Sequence, residues 1–372
     1  MTQFNHREIK LEEAIEAYLC SPEGGFIKGS DKNFNARLAL DTQTLLSFVK
    51  STQPKAWERY QVIYGSDCER RFIKRFCEEV EADGLIQVLR HGIKDRGVNF
   101  MVAYFAPETS INPDLAVRYK SNILHCVRQF HYSPSDTQNT IDIVLLLNGI
   151  PIAALELKDE FSGQNVDDAI YQYKKDSDPR DPIFAFNQRL LVYFALDLAQ
   201  VFMTTQLAGA ATYFLPFNQG SNGAGEVGGK GNPPNPDNFM TAYLWENVLR
   251  KDRLMEILQK YIHLDIKKDG RKSIIFPRYR QLDVVTKLLA DVKANGTGKN
   301  YLIQHSAGSG KSNSIAWLAH RLSGLHDAND KKIFNSVIVV TDRKVLDSQL
   351  QDTVYQFDHV RGVVKKVEKN SK

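Results

Sequence analysis

Apolar residues along this chain recur at two spacings, and the spacing changes from segment to segment. Leu11, Ile15 and Leu19 stand four residues apart, which predicts a helix over Ile9–Leu19 with one apolar face. Phe72, Ile73, Phe76 and Val80 predict a second helix over Glu69–Glu81, and Val98–Ala106 reads as a strand. The sharpest short-range pattern is Ile141–Leu147, then Asn148-Gly149, then Ile150–Lys158. Two apolar runs around an Asn-Gly step predict a β-hairpin. A helix over Val166–Lys175 and a strand over Leu190–Phe194 follow. Asn218–Asn238 is rich in Gly, Asn and Pro and predicts a long surface loop. Leu244–Ile262 predicts one continuous amphipathic helix. From Ile274 onward the order strand–loop–helix–strand marks an α/β domain with a parallel sheet. The fold class is therefore α/β, with one domain over residues 1–264 and a second over 265–372.

Composition narrows the classes without choosing among them. At 372 residues, 42% hydrophobic and 25% charged, the chain has enough apolar material for two soluble domains. A net charge of +4 permits a nucleic-acid partner but does not argue for one, because a local basic patch is what matters. Such a patch is offered by Lys251, Arg253, Lys260, Lys267, Lys268, Arg271, Lys272 and Arg278, which read either as phosphate contacts or as a solvated helix face. Cys20, Cys68, Cys77 and Cys126 form no C-x-x-C pair, which fits reduced thiols and a cytoplasmic location. No apolar run is long enough to cross a bilayer, and Met1–Lys10 lacks a signal-peptide core, so no membrane partner is expected.

The second domain carries the more specific motif. Tyr301–Gln304 predicts a short strand; His305-Ser306-Ala307-Gly308-Ser309-Gly310-Lys311-Ser312 follows, and then a helix with Ile315, Leu318 and Leu322 inward. This is a Walker A loop in all but its first glycine, where His305 stands. Glycines let backbone N–H groups approach phosphate oxygens, and a helix N-terminus favours anions. Gly308, Ser309 and Gly310 would cradle the phosphates of ATP, Lys311 would meet the β- and γ-phosphates, and Ser312 would ligate Mg²⁺. Beyond it, Val337–Val340 predicts a strand ending in Thr341-Asp342-Arg343. Asp342 reads either as a Walker B acid or as part of a DNA-contacting helicase motif. Gln281, one helical segment upstream of the loop, suits an adenine-reading glutamine, and the three stretches together resemble the opening motifs of superfamily 2 helicases. No D-E-x-[HD] box and no second RecA-like lobe follows Lys311, so weak ATP binding with negligible hydrolysis is expected of this chain alone.

The first domain carries the less specific but more consequential pattern. Asp142 lies inside one apolar run, and Glu156 and Lys158 lie inside the next. A charge in such a strand is costly unless something pairs with it. Glu156 and Lys158, two residues apart, share a face. Two acids would suit a hard divalent cation, with Lys158 positioning a water or balancing negative charge. The competing reading is a buried salt-bridge cluster. The metal-site reading makes a geometric demand. A strict two-residue turn at Asn148-Gly149 pairs Asp142 with Leu155 and sends Glu156 to the opposite face. For the two acids to meet, one strand must be irregular, and Gly149–Pro151 is where that irregularity is expected.

The D…E-x-K hairpin resembles the PD-(D/E)xK nucleases. With Thr52–Trp57, Leu89–Gly92 and Phe214–Asn218, the chain resembles the R subunit of type I restriction–modification enzymes nearly end to end. That resemblance implies a mixed-sheet nuclease domain followed by an incomplete RecA-like motor domain. It implies Asp142 and Glu156 as Mg²⁺ ligands, Lys158 as the catalytic lysine, and a helical glutamate as a further ligand, at Glu12 with Glu13 as its rival. It also implies a Q-x-x-x-Y motif, of which Gln172 is present while Asp176 stands at the tyrosine position. The activity it implies is Mg²⁺-dependent cleavage of double-stranded DNA, coupled in the full subunit to ATP-driven translocation. The partners it implies are separate modification and specificity subunits. Two other readings stay open: a module that binds DNA and ATP and docks on the modification complex without cutting, and a stand-alone P-loop ATPase.

Overall fold

A computed structural model describes residues 5–159, 163–267, 269–306, 308–341 and 354. The chain divides into two compact units, residues 1–106 with 114–259, and residues 107–113 with 260–372. The break at Gln259–Lys260 falls a few residues before the sequence-derived boundary at 265, because the strand His263–Ile266 pairs with Lys272–Ile275 inside the second unit.

The first unit is built on a seven-stranded mixed sheet. Its strands are β1 (Ile27–Lys28), β2 (Leu124–His131), β3 (Thr140–Leu147), β4 (Ile150–Leu157), β5 (Val192–Leu196), β6 (Val201–Thr204) and β7 (Leu215–Pro216), and they lie side by side in that order. β1 runs parallel to β2 and β4 parallel to β5; the other neighbours are antiparallel. Every residue of β4 is buried, as a strand covered on both faces requires. One face is covered by helix α2 (Val166–Lys175), which turns Val166, Ala169 and Tyr173 onto Val144, Ala154 and Ala195. On the other face helix α1 (Asn5–Leu19) buries Leu11, Ile15 and Leu19.

The predicted hairpin forms, with Asn148 (φ 52°) and Gly149 (φ 84°) in the left-handed turn that matches strand twist. The turn is fixed from outside as well. Asn148 is fully buried; its carboxamide accepts from Ile123 N–H at 2.7 Å and donates to the Val102 carbonyl at 2.9 Å. A Cβ on Gly149 would stand 2.3 Å from the Asp41 carbonyl oxygen, so only glycine fits.

Several elements differ from the sequence reading. Only Val98–Phe100 of the Val98–Ala106 run is strand, paired with Ile93–Asp95. The Leu244–Ile262 helix is split into a π-turn at Leu244–Val248 and an α-helix at Lys251–Lys260. In the second unit, Tyr301–Gln304 and Val337–Val340 are not strands, and among the described residues no parallel sheet forms there. Leu302 and Val340 are 93% and 86% exposed: a parallel strand is stable only between neighbours that cover both its faces, and these runs have none among the described residues. The described elements of that unit are the His263–Ile266/Lys272–Ile275 hairpin and the helices Tyr279–Asn295 and Lys311–Ser323. Trp317 anchors the second helix by donating to the Tyr261 carbonyl at 2.7 Å. No helix among the described residues is long and apolar enough to cross a membrane.

Candidate active site

The hairpin register decides which side chains meet. Leu147 pairs with Ile150 and Leu146 with Pro151, but Leu145 pairs with Ala153, so Ile152 is an extra residue in β4. This is the irregularity the nuclease reading demanded, one residue beyond Pro151. The ladder then runs through Val144–Ala154 to Ile143–Leu155, which sets Asp142 opposite Glu156. Beyond that pair the strands part, and the Asp142 side chain takes over the ladder: its Oδ2 accepts the Leu157 N–H at 2.7 Å. The Lys158 N–H donates to the Leu196 carbonyl at 2.9 Å, which carries the β4–β5 pairing one residue past the strand and keeps Lys158 on the face of Glu156. Asp142, Glu156 and Lys158 are all buried, with Glu156 only 1% exposed.

Residues of β2 and α1 complete the cluster. Gln129 falls opposite Asp142, between the Arg128–Ile143 and Phe130–Ile141 pairs, and sits at φ 48°, a conformation that costs a non-glycine residue about 1 kcal/mol or more. Its Nε2 donates to Glu12 Oε1 at 2.6 Å and lies 3.3 Å from Asp142 Oδ1. Arg128 Nε donates to Glu12 Oε2 at 2.9 Å. Of the two rival helical acids, Glu12 is the one turned inward and Glu13 is exposed. Burial pushes the Glu12 pKa up, the Arg128 hydrogen bond opposes it, and the nearby Asp142 adds to the rise. Sequence reasoning missed Arg128 and Gln129. No signal in the sequence sets them apart, since His125 and His131 are polar positions of the same strand.

Helix α2 is pinned at its start. Asn165 caps it in a capping box with Asp168, and the buried Asp197, just after β5, accepts the Val166 N–H at 2.9 Å. Gln172 is half-buried on this helix, and Asp176, at the place of the motif tyrosine, is exposed at its C-cap.

No group of three or more His, Cys, Asp or Glu side chains among the described residues encloses a metal site by itself. Glu12, expected as a third ligand, has its carboxylate engaged by Arg128 and Gln129 instead. An adjacent pair of buried carboxylates still suits Mg²⁺, which keeps several waters and takes one or two carboxylates.

The glycine-rich loop is arranged differently. Gly310 (φ 78°) leads into the helix starting at Lys311, as a phosphate-binding loop requires, and Ser312 lies in the first helical turn. Lys311 Nζ, however, folds back to donate to the carbonyls of His305 and Ser306, at 3.0 and 3.1 Å. Gln281 is buried against the loop: its Nε2 donates to the Ser309 and Gly310 carbonyls at 3.1 and 2.9 Å, and its Oε1 accepts the Arg278 N–H. The hollow beside the loop, lined by Val285, Leu288, Ile315 and Lys311, holds about 140 Å³, well below the ~300 Å³ at which ligand pockets begin. Asp342 and Arg343 lie outside the described residues. Several of the basic residues between Arg250 and Arg280 are internally matched: Arg253 bridges Glu256, Lys260 bridges Glu108, and Arg271 bridges Asp269.

This arrangement defines a mixed α/β protein with an acidic pair and a lysine on a bulged hairpin. Residues 55–212 match the family described as Type I restriction enzyme R protein N terminus, and residues 280–372 match the SWI2/SNF2 ATPase family. A protein of Methanocaldococcus jannaschii whose name gives it as a type I restriction enzyme endonuclease subunit, MjaVIIIP, is 24% identical over 312 residues, 78% of this chain. The chain is therefore similar to the N-terminal part of a type I restriction enzyme R subunit. It spans about a quarter of that relative, 27% of its length.

Proposed function

We propose that the first unit is a PD-(D/E)xK nuclease domain that cleaves double-stranded DNA with Mg²⁺, as part of the R subunit of a type I restriction system. One observation carries the proposal: the extra residue at Ile152 turns Glu156 to the face of Asp142, with Lys158 two residues further on. A salt-bridge cluster alone gives no reason for a bulge that sets two acids side by side, since like charges facing across a sheet are destabilising.

Asp142 and Glu156 would hold the ion, which when bound would polarise a phosphodiester oxygen and acidify a water. The Leu157 N–H and Gln129 fix the Asp142 carboxylate, so little reorganisation is needed to receive a cation. Lys158 places a positive charge beside the pair, where it balances charge building on the phosphate. Glu12 acts through Gln129, holding it against Asp142, and Gln172 lies on the helix that covers the same face.

The second unit would be the opening of a RecA-like motor, with Gly308, Ser309, Gly310, Lys311 and Ser312 binding ATP and Mg²⁺ once Lys311 releases the loop carbonyls, and Gln281 buttressing the loop. In the whole subunit this motor would drive translocation, with the modification and specificity subunits as partners. A second reading, a module that docks and binds DNA without cutting, is favoured by the exposed Asp176 at the motif tyrosine position.

The test is Mg²⁺-dependent nicking of plasmid DNA by the wild type, Asp142→Ala and Lys158→Ala. Nicking by the wild type alone supports the nuclease reading; equal background in all three leaves the docking module or a stand-alone P-loop ATPase, which ATPase activity then separates.

A further inference from the structure

Helix α2 brings to the carboxylate face a group that the reading above does not use. Tyr173 shares the inward side of the helix with Val166 and Ala169 and is completely buried. Its ring meets Tyr193 edge-on and lies beside Phe214, each at 5.8 Å between centroids. Tyr193 pairs with Ala154, two residues before Glu156 on the same face of the sheet. Among the described residues the Tyr173 hydroxyl has no hydrogen-bond partner. The neighbouring Tyr132 differs, since its hydroxyl is matched by Ser177. A buried hydroxyl left unmet costs about 1–3 kcal/mol, and phenylalanine would fill the same space without that cost. Burial, together with the carboxylates of Glu156 and Asp142, pushes the Tyr173 phenol far above its ordinary range. A tyrosine phenol carries its proton near neutral pH and can donate it to an acceptor.

We propose that Tyr173 is a positioning residue of the carboxylate site, its hydroxyl donating to the Glu156 carboxylate when a divalent cation occupies the Asp142–Glu156 pair. The inference rests on the nuclease reading. A carboxylate has more acceptor positions than a metal uses, and a donor on the remaining oxygen fixes its rotation and raises metal affinity. Tyr173 delivers its phenol toward the sheet from the buried side of helix α2.

The experiment compares Mn²⁺ binding, followed by electron paramagnetic resonance of the free ion, in the 372-residue wild type, Tyr173→Phe, Tyr193→Phe and Asp142→Ala, with metal-free melting temperatures alongside. The expected result is about ten- to a hundredfold weaker Mn²⁺ binding in Tyr173→Phe, the worth of one hydrogen bond to a charged group, with a metal-free melting temperature equal to the wild type or higher. Tyr193→Phe, the packing control, should bind as the wild type does. Unchanged affinity in Tyr173→Phe, or equal weakening in both tyrosine variants, overturns the proposal while leaving the nuclease reading standing. A wild type that binds no Mn²⁺, or an Asp142→Ala that binds it equally well, removes the site itself and this inference with it.

Discussion

The Asn148–Gly149 hairpin and the Gly308–Gly310 loop are both glycine turns placed next to charged side chains, yet their surroundings differ. At the hairpin, a Cβ on Gly149 would strike the Asp41 backbone, and Asn148 is bonded to two other segments. At the loop, Gly308 faces open space, Lys311 is satisfied by its own loop, and Leu302 before it and Ile338 and Val340 well beyond it are solvent-exposed. The first turn is held by a finished sheet, so its register transmits to Asp142 and Glu156. The second has the local form of a phosphate loop without, among the described residues, the sheet that would stiffen it. A motif of high pattern specificity thus stands in the less consolidated setting, and one of low specificity in the more consolidated.

Deleting Ile152 should break this comparison most severely. The deletion leaves Asp142, Glu156 and Lys158 in the chain but restores the two-residue-turn register, which rotates Glu156 to the far face. Nicking should fall by about a hundredfold or more, the scale of losing a catalytic electrostatic group, while circular dichroism still shows a folded chain. Wild-type rates would mean that the bulge does not align the acids.

Two glycine substitutions sharpen the contrast. Gly149→Ala meets both a left-handed backbone and a 2.3 Å clash, and should lose about 2–4 kcal/mol of stability in denaturant titration of the first unit. Gly308→Ala meets only the backbone cost, about 1 kcal/mol, and should leave nicking untouched. Lys311→Ala should likewise leave nicking by this chain unchanged and abolish any ATP binding, measured by equilibrium dialysis.

The smallest effect concerns Glu12. Its pKa is raised in the folded protein, so the stability it contributes is complete below the unfolded carboxylate range and is lost as pH rises through the raised value. Wild-type melting temperature should therefore fall on going from about pH 4.5 toward neutrality relative to Glu12→Gln, which has nothing to titrate, by no more than about 1 kcal/mol equivalent. A difference that grows toward acid instead would mean that the Arg128 pairing outweighs burial.

How much of this was legible depended on range. The hairpin, its Asn-Gly turn and the inward faces of α1 and α2 are local periodicities, and the sequence shows them directly. The bulge was legible as a demand, because Pro151 weakens pairing and only an odd residue brings Asp142 to Glu156, but its seat at Ile152 depends on packing across the sheet. Arg128, Gln129 and Tyr173 were not legible as site residues. Their relevance arises from β2 and α2 arriving beside β3 and β4, and no spacing along the chain encodes that. The Tyr301–Gln304 and Val337–Val340 runs have strand periodicity, but a strand needs neighbours that its own pattern does not supply. The single Leu244–Ile262 helix failed for a local reason: the π-turn at Leu244–Val248 shifts the phase without changing the apolar character of the run.

The most direct measurement is anomalous diffraction from crystals of the first unit's site soaked in Mn²⁺ within the whole chain. The account predicts one ion within about 2–2.3 Å of carboxylate oxygens from both Asp142 and Glu156, with Lys158 beside it. A map in which no ion touches that pair, or in which it touches Glu156 with Asp142 turned to the other face of the sheet, would contradict it.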